Sequence, residues 1–103
     1  MIDCAAPVPG GGFVAAGDGW TYAGTLTFAN ATAVFEACGE LALPAAGSVD
    51  LAGLGHADSS ALAVMLALKR RAAREGKPMA FAAVPPGILR LARVYGVEDL
   101  LAG

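Results

Sequence analysis

Asp58, Ser59 and Ser60 stand together, with His56 two positions upstream of the aspartate. A carboxylate, two hydroxyls and an imidazole are the groups from which acid–base or nucleophilic chemistry is built. Closeness in sequence does not make them a catalytic triad, which needs a base oriented by a third group beside a substrate pocket. The same residues fit a structural role, because Asp and Ser are common helix N-caps and an apolar-periodic run follows them. His56 then reads as a loop residue making a local hydrogen bond. No other chemistry is signalled. Cys4 and Cys38 are the only cysteines and lie in no metal-ligand spacing. Gly10-Gly11-Gly12 is not followed by Gly-Lys-Ser/Thr, so it is not a phosphate cradle. The expectation is a protein that is not an enzyme and has neither cofactor nor metal.

The surrounding pattern says how those residues would be held. Residues 1–10 carry Pro7, Pro9 and Gly10 and read as a flexible tail, leaving 11–103 as one domain. Two short apolar runs, Phe13 to Ala16 and Trp20 to Ala23, flank Gly17-Asp18-Gly19, a hairpin signal. Trp20 and Tyr22 then share a face, and Leu26 to Phe28 continue the extended run. Asn30 is placed to cap a short helix to Gly39, with Val34, Phe35 and Cys38 as its buried stripe. Ser48 to Leu51 reads as a buried strand, Gly53 to Asp58 as a loop, and Ser59 to Arg74 as a long helix stopped by Gly76. Pro78 to Ala83 reads as a strand. Pro85-Pro86 opens a helix whose apolar face is Ile88, Leu91, Ala92 and Tyr95, and Val97 to Leu101 forms a last short element. Alternating strands and helices predict an α/β domain with parallel strand pairs and crossover helices.

Composition points towards association. Of 103 residues, 56% are hydrophobic and only 16% charged, sparse for a soluble domain. The longest unbroken apolar run, Ala61 to Leu68, is too short to span a bilayer. The N-terminal stretch has Asp3 and no Lys or Arg, unlike a secretory signal, so a cytoplasmic location with free thiols is expected. The net charge of −2 conceals a segregation: residues 1–68 contain acids but no Lys or Arg, and all seven basic residues fall between Lys69 and Arg93. The acidic pI, about 5.1, argues against a nucleic-acid surface. The cluster Lys69 to Lys77 is a solvated helix end, or a patch for an acidic partner or anionic lipid.

The run Val49-Asp50-Leu51 followed by Asp58-Ser59-Ser60 resembles the STAS domain family, with Ala61 where that family often has glycine. The stretches Gly24 to Ala31 and Pro85 to Leu101, including Leu91-Ala92-Arg93-Val94-Tyr95-Gly96, resemble its MlaB branch, the STAS subunit of the Mla phospholipid-transport ABC complex. The likeness covers about residues 11–102. It implies an α/β STAS fold, a mixed sheet of four to five strands packed with three to four helices. It implies a non-catalytic subunit that binds and regulates the cytoplasmic, MlaF-like ATPase at the inner membrane, in a transporter maintaining outer-membrane lipid asymmetry. Asp58, Ser59 and Ser60 would lie at that contact. Leu62 and Met65, one apolar stripe of the following helix, are added as candidate contact residues. The alternative within the same family is an anti-sigma-factor antagonist of a partner-switching pathway, phosphorylated at Ser59.

Overall fold

The Gly17-Asp18 turn joins β1 (Gly11–Ala16) to β2 (Gly19–Leu26) as an antiparallel hairpin, with Phe13 opposite Tyr22 and Ala15 opposite Trp20. The computed structural model describes residues 10–39 and 41–99. Cys4 and most of the expected tail lie outside the described residues. Gly10 is tied to the hairpin, its carbonyl accepting the Thr25 N–H at 2.7 Å. Phe13, Trp20 and Tyr22 are all buried, the Phe13 ring 5.5 Å from Trp20 and 4.8 Å from Tyr22. Trp20 Nε1 donates to the Ala42 carbonyl at 3.1 Å, so the indole's one polar group is satisfied inside the core.

From β2 the chain continues through α1 (Ala31–Cys38), β3 (Ser48–Ala57), α2 (Ser59–Arg74), β4 (Ala80–Ala82) and α3 (Pro86–Val94). The sheet order is β1-β2-β3-β4, with β2–β3 and β3–β4 parallel. Parallel neighbours cannot be joined by a tight turn, so each pair takes a crossover helix. Along β3, Val49 and Leu51 are buried while Asp50 and Ala52 are exposed. The buried strand residues form one core with Val34, Cys38, Leu62, Met65, Leu68, Ile88 and Ala92, so the helices cover one face of the sheet. This mixed four-stranded sheet with three helices is the expected α/β architecture.

Several local expectations are corrected. The segment from Gly53 is strand, not loop, and β3 runs on to Ala57. A Cβ at Gly53 would stand 2.4 Å from the Tyr22 carbonyl oxygen, so glycine here serves close strand approach and not a turn. β2 ends at Leu26, and β4 is only three residues long. In α1 the buried residues are Val34, Ala37 and Cys38, and Phe35 faces outward. Tyr95, expected on the apolar face, is exposed, as is Val94 beside it at the end of α3. The expected final element begins with a helical turn at Glu98 and Asp99, and the rest lies outside the described residues.

The basic cluster is not uniformly solvated. α2 ends in a Schellman motif, with the Gly76 N–H on the Ala73 carbonyl and the Lys77 N–H on the Ala72 carbonyl. Just before it, Arg71 turns inward. Its guanidinium donates to the Leu41 carbonyl at 2.7 Å, the Cys38 carbonyl at 3.3 Å and Glu75 at 2.9 Å. Arg71 thus ties α2 to the end of α1 and the segment after it. Cys38 is a free, buried cysteine; burial pushes its thiol up to about 11 despite the nearby Arg71 cation, so it stays protonated and unreactive at neutral pH.

Arg71→Ala should lower stability by about 2 kcal/mol, because charged hydrogen bonds to two carbonyls are lost, as urea unfolding at neutral pH would measure. Ala83, between β4 and α3, has φ of 56°, in the left-handed region. Ala83→Gly should raise stability, by up to about 1 kcal/mol in the same measurement, through relief of the Cβ–carbonyl contact.

Candidate functional site

Asp58 leaves the end of β3 in an extended conformation and caps α2. Its Oδ1 accepts the Ser60 N–H at 2.8 Å, one of the helix's four free first-turn donors. Its Oδ2 accepts the Phe28 N–H at 3.1 Å, from the turn after β2. One carboxylate therefore joins two segments distant in sequence. These backbone donors, the Phe28 N–H foremost, hold the carboxyl below the usual aspartate range.

The turn carrying Phe28 is fixed from its other side as well. Asn30 is buried, its Oδ1 accepting the Thr27 N–H at 2.9 Å and its Nδ2 donating to the Thr25 carbonyl at 3.0 Å. The side chain serves the turn and does not cap α1, contrary to the sequence expectation. Phe28 is left 81% exposed beside this anchored backbone. An isolated exposed apolar residue needs no explanation, but this one has company. Phe35 is 39% exposed on the outer side of α1. Between α1 and α2 runs an open groove of about 320 Å³, lined by Ala31, Thr32, Phe35, Ser60, Ala63, Val64 and Ala67.

The predicted residues divide cleanly. Ser59 is exposed at the tip of α2, and Asp58 and Ser60 are partly exposed beside it. Leu62 and Met65, expected at the contact, are 3% and 1% exposed and belong to the core, which leaves them little surface for a partner. Ala61, Val64 and Leu68, the second stripe, are buried too. The reason is that α2 packs against the sheet and also against α1 and α3. A helix with neighbours on three sides needs an apolar surface wider than one stripe. In its first half α2 leaves open a line of small residues at helical spacing, with Ser59 and Ala63 exposed and Ala67 half-buried; further on Arg70, Ala73 and Arg74 are exposed. Sequence reasoning missed Phe28, Thr32, Phe35 and Ala63. The small-residue line opposite the large apolar ones was the available signal for Ala63. Nothing local marked Phe28, which stands on the turn that Asp58 and Asn30 bind.

His56 is exposed in β3, not in a loop, and among the described residues no hydrogen bond connects it to Ser59. No group of three or more His, Cys, Asp and Glu side chains among the described residues could hold a metal ion. No described helix is long and apolar enough to cross a membrane. The site offers a hydroxyl-tipped helix end, two aromatic side chains and a shallow apolar groove, which are means of contact.

Residues 21–102 match the family described as MlaB, STAS domain. A comparison with curated proteins returns no match.

Asp58→Ala should lower the urea midpoint at pH 7, since both the cap and the Phe28 anchor are lost. The depressed carboxyl stabilises the fold above the ordinary aspartate pKa, about 3.9, and that contribution disappears as pH falls through the lower folded value. The gap between wild type and Asp58→Ala should therefore narrow in unfolding curves taken progressively below pH 4.

Proposed function

The chain belongs to the MlaB-type STAS family, and from that premise we propose that it is the non-catalytic subunit that binds and regulates the cytoplasmic ATPase of an Mla-type phospholipid transporter. STAS domains are in general non-catalytic regulatory domains, and an ABC-transporter partner is what the MlaB family implies. The observation that carries the finer reading is the exposed tip of α2 beside a rigidly held, solvent-facing Phe28. Contact there would cover Ser60 and Ala63 on α2 with Thr32 and Phe35 across the groove, together with the exposed Ser59 and Phe28 on either side of Asp58. Small residues let a partner helix come close, and the aromatics supply apolar area at low entropic cost because their backbone is already ordered. A cytoplasmic position at the inner-membrane transporter follows from the same proposal.

The exposure of the Ser59 hydroxyl favours a second reading, a partner-switching anti-sigma-factor antagonist phosphorylated there. A phosphate would meet the positive end of α2 but also the ionised Asp58 next to it. Mass spectrometry of protein from its native cells separates the two, since stoichiometric phosphate on Ser59 belongs to the second alone.

Ser59→Glu and Ala63→Arg should each weaken binding to the ATPase subunit about tenfold or more while leaving the circular dichroism spectrum unchanged, both positions being exposed. Wild-type affinity in both variants, measured by calorimetry on purified proteins, would sink the docking reading. Met65→Ala should instead cost about 2–5 kcal/mol of stability, with little effect on the affinity of the folded protein.

A further inference from the structure

A second groove, of about 430 Å³, lies at the other end of α2, away from the docking tip. Leu66, Ala72, Ala73, Pro78 and Met79 give it an apolar lining, and Lys69, Arg70 and Lys77 bring three cations to it. Its volume is in the range of small-molecule clefts. We propose that this groove binds a single-chain anionic amphiphile, with the hydrocarbon tail on the Leu66–Met79 lining and the carboxylate head at Lys69, Arg70 and Lys77.

Three observations favour that occupant. The first is charge: no basic residue precedes Lys69 in the chain, and three of the seven meet at this groove. The second is the condition of Lys69. Its Nζ donates to the Met79 carbonyl at 2.6 Å, and partial burial lowers its pKa. An ammonium has three donors, so this one can still meet an anion, which would offset the desolvation. The third concerns the backbone. The carbonyls of Met79, Ala72 and Ala73 are already taken by Lys69, Lys77 and Gly76. An extended peptide would find each of those acceptors already holding a donor, with at most one lone pair left, whereas a hydrocarbon tail needs none. Asp99 also lines the groove and opposes an anionic head, but three cations outnumber it.

The inference does not depend on the ATPase-docking reading, and its test uses the isolated full chain. Dodecanoate, below its micellar concentration, should bind saturably by calorimetry and raise the thermal midpoint. Dodecanol of equal chain length should bind about tenfold more weakly, roughly the worth of one charge-assisted contact. Arg70→Glu and Lys77→Glu, at exposed positions, should each weaken dodecanoate about tenfold, Ala73→Trp should block the groove, and Asp99→Asn should tighten binding. Absence of saturable binding, equal affinity for the alcohol, or unchanged affinity in both the charge variants and Ala73→Trp would overturn the proposal. So would an acidic peptide that occupies the groove while dodecanoate does not.

Discussion

The carboxylate of Asp58 accepts backbone N–H groups from Ser60 and from Phe28, which lies thirty positions earlier in the chain. Everything at the candidate site follows from that pair of bonds. The first sets where α2 begins and which residue stands at its tip. The second pins the turn after β2 against the helix start, with the Asp58 N–H on the Leu26 carbonyl reinforcing the junction. Phe28 stands on this anchored turn with its large apolar side chain in solvent.

The position of α2 explains the rest. Two parallel strand pairs require two crossovers on the same face of the sheet, and α2 lies between α1 and α3. Its large residues go inward on both flanks, and its small ones form the outer line. The same crowding redistributes the charge. Arg71 and Lys69 are drawn into contacts with the carbonyls of Leu41 and Met79, while Arg70, Arg74 and Lys77 stay exposed. A sequence-level cluster of like charges becomes two internal ties and a smaller cationic rim. The two ends of one helix are then chemically distinct, a hydroxyl tip facing an apolar groove at one and a cation-bordered groove at the other.

An N-cap at Asp58 or Ser59, the span of α2, the hairpin at Gly17-Asp18 and the Pro86 start of α3 were legible from the chain alone. So was the family, through the strand, cap and C-terminal helix together. Each of these rests on local chemistry: a side chain that reaches its own neighbouring N–H, a glycine that accepts positive φ, a proline that has no N–H to lose. The burial of Leu62 and Met65 and the exposure of Phe35 and Tyr95 were not legible, because a periodic pattern says which residues share a face and not what that face meets.

Local side-chain and backbone preferences thus determined the elements, their order and the hydroxyl-bearing helix start. Only the tertiary structure decided which apolar residues were core and which were surface. Burial depends on how many neighbours an element has, and the neighbours of α2 include α1 and α3, which precede and follow it in the chain. The same holds for Gly53, whose role in strand pairing requires β2 beside it, and for Phe28, whose backbone is anchored by an aspartate thirty residues away.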